Sequence, residues 1–145
     1  MATKLDEDLI SVKIDKQVFK AKLHRAEAPQ TVESFLRLLP YKSKIIHVRY
    51  SGEAIWIPLP KDFPMTGVLE NQTSYPSKGE ILYYPGMISE KEILISYGAT
   101  VFSSRVGMLP GNHFATIFED QMKLAEIGKK ILWEGAKDIS IAKAL

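Results

Sequence analysis

The chain reads as one mainly-β domain, an antiparallel barrel or sandwich carrying two helices. The first runs alternate between apolar and polar residues, as half-buried strands do, and later short β-rich runs follow between turns. Two stretches alone switch to helical spacing, and turn dipeptides such as Ser51-Gly52, Lys78-Gly79, Pro85-Gly86 and Pro110-Gly111 punctuate the rest. Of the two architectures a barrel suits the order better, because one helix after the first hairpin and one near the C-terminus can plug its open ends.

Ile10, Val12 and Ile14 alternate with Ser11, Lys13 and Asp15, and Phe19, Ala21 and Leu23 alternate with Val18, Lys20 and Lys22. Asp15-Lys16-Gln17 joins these runs into a hairpin. Val32, Phe35, Leu36 and Leu39 then recur at helical spacing, with Thr31 placed to cap the first turn and Pro40 to stop the helix, which is expected over residues 31–39. Strands are expected over residues 45–50, 54–57, 80–84, 92–97, 100–104 and 113–118, with a proline-rich loop over 58–67. A second helix is expected over 120–133, capped by Asp120, striped by Leu124, Ile127 and Ile131, and ended by Gly135. Ile139 and Ile141 mark a final strand at a sheet edge.

A chain of 145 residues with 46% apolar and 25% charged residues is an ordinary globular domain with one core. The net charge of +2 is spread without basic blocks, so no nucleic-acid surface is expected. No run approaches the roughly 20 apolar residues that cross a bilayer, and residues 1–10 carry Asp6, Glu7 and Asp8 instead of a signal-peptide pattern. Without cysteine there is neither a disulfide nor a thiolate nucleophile, and a cytoplasmic location is expected. His24, His47 and His113 show no ligand spacing, and no glycine-rich phosphate fingerprint occurs, so neither metal nor cofactor is expected.

The segment Glu27-Ala28-Pro29-Gln30-Thr31-Val32-Glu33-Ser34-Phe35-Leu36 resembles the first helix of cyclophilins, in which a Pro and a Thr precede an Asn-Phe pair. The run His113-Phe114-Ala115-Thr116-Ile117-Phe118-Glu119 resembles the cyclophilin strand that leads into the second helix. Three further segments, Ser51-Gly52-Glu53-Ala54-Ile55-Trp56, Glu70-Asn71-Gln72-Thr73-Ser74-Tyr75-Pro76 and Gly111-Asn112-His113-Phe114-Ala115-Thr116-Ile117, are similar to the small bacterial and archaeal cyclophilin-like proteins of the DUF3830 family. The resemblance spans nearly the whole chain and implies a closed, cyclophilin-like antiparallel barrel. It carries no settled reaction. Arg49 takes the place of the key arginine of prolyl isomerases, but their Gln-Phe-Phe segment is missing, so isomerase activity is expected to be weak or absent. Other barrels of this kind process cyclic amides, which makes hydrolase or lyase chemistry an analogy.

Within this frame Arg49 and His47 are the leading catalytic candidates. Alternation puts them on one face of their strand, outward if Ile46 and Val48 feed the core. Arginine offers a planar fork for a carboxylate or carbonyl, and histidine exchanges a proton near neutral pH. Glu53, just beyond the Ser51-Gly52 turn, is the preferred general acid or base, ahead of Glu70 and Glu92. Asn112 and His113 enter a strand from a loop, and Ser103 and Arg105 occupy a similar strand-end context. Tyr50, Trp56, Tyr97 and Phe114 are candidate ligand-facing aromatics, and Asn71 joins the set through the family-like segment around Glu70. The expected function is a protein that binds or converts a small carboxylate or cyclic amide, with Arg49, His47 and Asn112 in one shared pocket. Its rivals are a prolyl isomerase or peptide-binding module, and a structural partner subunit of a larger enzyme. A homo-oligomer is compatible with each.

Overall fold

The computed structural model describes residues 8–144. Eight strands close into an antiparallel barrel: β1 (Leu9–Ile14), β2 (Gln17–Leu23), β3 (Tyr41–His47), β4 (Gly52–Pro58), β6 (Glu80–Tyr84), β7 (Glu92–Thr100), β10 (Gly111–Ile117) and β11 (Lys137–Lys143). Around the wall the order is β2, β1, β11, β3, β4, β7, β6, β10, and pairing of β10 with β2 closes it. A short β5 (Gln72–Thr73) lies against the start of β10, and β8 (Ser103–Ser104) pairs with β9 (Gly107–Met108) in a separate small ribbon. Closure removes the unpaired strand edges that an open sheet of this length would expose.

The interior is filled from alternate positions of the strands. Ile10, Val12 and Ile14 of β1, Ile55 and Ile57 of β4, and Ile93, Ile95 and Tyr97 of β7 belong to one buried cluster. Helix α1 (Pro29–Leu36) adds Val32 and Phe35 to it, and helix α2 (Gln121–Glu134) adds Leu124, Ile127 and Ile131. A second apolar cluster lies on the outer side of the wall, where Ala54, Leu82, Tyr84 and Leu94 pack beneath Phe102 and Leu109, with Val48 and Trp56 against them. That second cluster turns part of the barrel's outer face into the floor of a groove.

Several expectations shift. The third strand starts four residues earlier and ends three earlier, over Tyr41–His47 instead of residues 45–50, and Ile45, not Ile46, is the residue sealed in the interior. Ile46 and Val48 therefore face the outer side. Two adjacent isoleucines leave the parity of a strand undetermined when both of its faces are covered. The strands expected over 92–97 and 100–104 are joined without a break as far as Thr100, and β7 meets Gly52 and Ala54 in an irregular register. The last strand is no edge: β11 lies between β1 and β3 and completes the wall.

Both helix starts also differ. Thr31 sits inside α1, and its backbone N–H and hydroxyl both donate to Glu70 Oε2, at 2.6 and 2.8 Å, so a loop carboxylate secures the first turn. Asp120 makes no side-chain cap for α2; only its carbonyl takes the N–H of Leu124.

Candidate functional site

The groove on the outer face measures about 550 Å³. Its floor is set by sheet register. Trp56 of β4 pairs with Ile46 of β3 on one side and Leu94 of β7 on the other, and Leu94 pairs with Leu82 of β6. One pleat along, Glu92 lies between Pro58 and Tyr84. Side chains two residues apart on a strand share a face, so Trp56, Leu94 and Glu92 all belong to this side.

Two loop segments form a wall. Residues 48–51 leave β3 and carry Arg49 and Tyr50, both exposed and both lining the groove. Residues 101–106 carry Ser103, Ser104 and Arg105. Ser51, nearly sealed from solvent, ties the two together: its hydroxyl donates to the Ser103 carbonyl and accepts the Ser103 N–H, each at 3.0 Å. Ser103 Oγ in turn donates to the Tyr50 carbonyl at 3.1 Å. These bonds hold the backbones that carry Arg49 and Arg105 in a fixed relation. Neither guanidinium has a carboxylate partner among the described residues.

On the opposite wall, Ile88, Ser89 and Glu90 come from a loop pinned by Tyr84, whose buried hydroxyl accepts the N–H groups of Met87 and Ile88 at 3.2 and 3.1 Å. Beneath this loop Glu92 is only 8% exposed and takes no hydrogen bond or ion pair among the described residues. Burial, with the neighbouring charge of Glu90, pushes its carboxyl up to about 8. At neutral pH this acid keeps its proton for much of the time while facing an opening that holds two arginines.

The other candidates scatter. His47 reaches the groove's edge, but its Nε2 lies 2.7 Å from the Tyr97 hydroxyl, whose ring belongs to the interior cluster. Glu53 accepts the Ala99 N–H at 2.8 Å and braces the end of β7. Asn112 is not in the groove, and the shared pocket with Arg49 and His47 does not exist. It is fully buried, donating to Thr31 Oγ1 and the Val68 carbonyl and accepting the Glu70 N–H. Asn71 donates to the His113 carbonyl, and Phe114 packs edge-to-face on Phe35 at 5.1 Å in the core. His113 joins His24 instead: both rings reach Thr116 Oγ1, at 2.8 and 2.7 Å, and burial holds both imidazoles below their ordinary range. No group of three potential metal ligands occurs among the described residues.

Sequence reasoning ranked Glu92 behind Glu53. The signal that separates them is the company of Glu92, an acid opening the apolar run of Ile93, Leu94 and Ile95. No helix among the described residues is long and apolar enough to cross a membrane.

Comparison with solved structures agrees on the fold. McbB in complex with tryptophan superposes with a TM-score of 0.69 at 17% identity over 92% of this chain, which spans only 44% of the McbB chain. The hypothetical protein AF2241 from Archaeoglobus fulgidus gives 0.61 at 19% identity, covering 99% of this chain and 100% of its own. A cyclophilin-type peptidyl-prolyl cis-trans isomerase from Cryptosporidium parvum, determined in the presence of the dipeptide Ala-Pro, gives 0.57 at 15% identity over 94% of this chain and 99% of its own. Identities this low show a common cyclophilin-like architecture and nothing finer. No curated protein matches the sequence significantly. The family model for DUF3830, described as a protein of unknown function, matches residues 10–143, and the chain therefore belongs to the DUF3830 family.

Proposed function

We propose that this protein binds a small aromatic carboxylate in the groove of Arg49, Trp56 and Arg105. One observation carries the reading: two guanidinium groups without a carboxylate partner among the described residues stand on adjoining loop segments of one wall, beside an apolar floor that includes Trp56. A guanidinium presents two parallel N–H donors to a carboxylate, and an indole face accepts a flat ring. The volume of about 550 Å³ lies within the range of small-molecule sites. The tryptophan held by McbB joins a flat ring to a carboxylate, the same pairing of chemistries on a shared architecture.

Calorimetric titration of indole-3-acetate, phenylacetate and L-tryptophan, each beside the neutral indole-3-acetamide, tests this reading. The carboxylates should bind at least about tenfold more tightly than the amide, a difference of about 1.4 kcal/mol. Arg49→Lys should weaken them, since an ammonium lacks the paired donors. Equal binding of acid and amide, or affinities unmoved in the Arg49→Ala/Arg105→Ala double variant, would overturn it.

A further inference from the structure

We infer that Glu92 is a catalytic acid–base group that moves a proton on the molecule bound in the groove, which makes the protein an isomerase or lyase working by proton abstraction from a small carboxylate. The inference rests on the proposed reading of the groove as a ligand site.

Its first support is placement. Ile93 and Ile95 send their side chains to the interior, so the pleat sends Glu92 to the outer face, beside Leu94 and one step from Trp56. Its carboxyl helps line the same cavity as Arg49 and Arg105.

The second support is the absence of a structural task. Most other carboxylates that enter the fold have one. Glu53 holds Ala99, Glu70 holds Thr31, Glu80 accepts the Ser77 N–H, Asp8 and Glu33 meet Arg25, Asp138 meets Lys44, and Glu134 meets Lys137. Glu92 is the acid among the described residues that is more than nine-tenths buried, and it has no such partner. Burying an unpartnered carboxyl costs stability, and sites where that cost is tolerated are disproportionately catalytic.

The third support is the match of proton affinity to task. Burial and the Glu90 charge raise the Glu92 carboxyl to about 8, close to the value that best balances proton capture and release near neutral pH. In the step, a Glu92 carboxylate oxygen takes a proton from an activated C–H of the ligand. The electron pair of that bond moves into the adjacent unsaturated group, and the resulting negative charge faces Arg49 and Arg105. Return of the proton at another atom completes an isomerisation, and departure of a leaving group completes an elimination. No electron acceptor or cofactor enters the balance.

The probe is 5-nitrobenzisoxazole, whose isoxazole C3–H is removed by a general base as its N–O bond breaks, yielding the coloured 2-cyano-4-nitrophenolate. With the full chain, ring opening should run at least about 100-fold faster than with an equal concentration of acetate. The rate should rise with pH through an inflection near 8, where Glu92 loses its proton. Glu92→Gln should return the rate to background. Glu90→Gln should lower the inflection by removing a neighbouring negative charge, a shift that a merely structural residue would not produce. Glu134→Gln, far from the groove in its pair with Lys137, should leave the profile unchanged.

If indole-3-acetate binds but the probe opens no faster than with acetate, the inference is overturned and the binding reading stands. A rate retained in Glu92→Gln, or an inflection at an ordinary carboxylate value, overturns it equally. If the probe opens with a Glu92-dependent profile while indole-3-acetate fails to bind, proton transfer stands and the carboxylate reading falls.

Discussion

His47 Nε2 and the Tyr97 hydroxyl meet at 2.7 Å although the residues lie 50 apart in the chain, and the contact links the end of β3 to the barrel interior. The Tyr97 ring is pressed against α2 at Gly128, where any Cβ would collide with its carbons. The position of His47 at the groove's edge therefore depends on a glycine in a helix behind it. Gly128→Ala should destabilise by about 1–3 kcal/mol despite alanine's better helix propensity, because the ring must move. Tyr97→Phe should cost only about 1 kcal/mol, the worth of one hydrogen bond. Denaturant titrations of both variants check the order, and a stabilising Gly128→Ala would show that the contact is not tight.

The chain of Glu70, Thr31 and Asn112 is a structural joint and not part of the ligand site. Asn112→Ala leaves the Glu70 N–H and Thr31 hydroxyl short of a buried partner and should cost about 2–4 kcal/mol, a cavity and a lost hydrogen bond together. Affinity for indole-3-acetate should not change in any variant that remains folded. A weakened affinity at constant fold would return Asn112 to the site.

Tyr83 is the converse case. Its hydroxyl is buried in the interior without a hydrogen-bond partner among the described residues, and burial raises it to about 12. Tyr83→Phe removes the stranded group while keeping the ring, and should be neutral or stabilise by up to about 1 kcal/mol. A loss of more than that in the unfolding midpoint would mean the hydroxyl has a partner, such as a bound water.

Stability should fall on both sides of a mildly acidic optimum. His24 and His113 have folded-state pKa values below the ordinary 6.5, chiefly through burial, and His113 further lowers His24. Glu80 and Glu27 oppose the shift of both, and Lys22 adds to that of His24. The unfolded chain then binds protons that the folded chain refuses, so stability drops as pH falls below about 6.5. His113→Gln should reduce that slope. Glu92 acts in the opposite sense: its folded value of about 8 lies above the ordinary 4.5, so stability drops as pH rises between them. Glu92→Gln should gain on the wild type across that window, on the order of 2–4 kcal/mol by alkaline pH. Parallel melting curves for wild type and variants decide both, and slopes that coincide would sink the assignments.

Prolyl isomerase activity on a proline-containing peptide should be weak or absent. The groove holds an arginine, but the Gln-Phe-Phe segment that resemblance to the isomerases would require is missing from the sequence. A protease-coupled isomerisation assay checks it, and a fast rate abolished by Arg49→Ala would reverse the ranking of functions.

What the sequence by itself determined is the class of the fold. Alternation in the strands around Val12 and Phe19, turn signals between the later β-rich runs, helical spacing at Val32 and Leu124, and the family-like segments were sufficient, because period and turn chemistry are local properties. Arg49, Tyr50, Trp56, Ser103 and Arg105 were legible as candidates, and they do line one groove. The facing of β3 was not legible, because Ile45 and Ile46 are both apolar and both sides of that strand are covered, one by the interior and one by the cluster around Leu94. Asn112 and Glu53 looked like site residues because loops and turns often carry function, yet each is consumed by backbone partners contributed from remote segments. Only the tertiary structure decided which acid is both buried and without a partner among the described residues. Hydrogen-bond satisfaction and burial depend on residues distant in the chain, and those two quantities separate Glu92 from every other carboxylate considered.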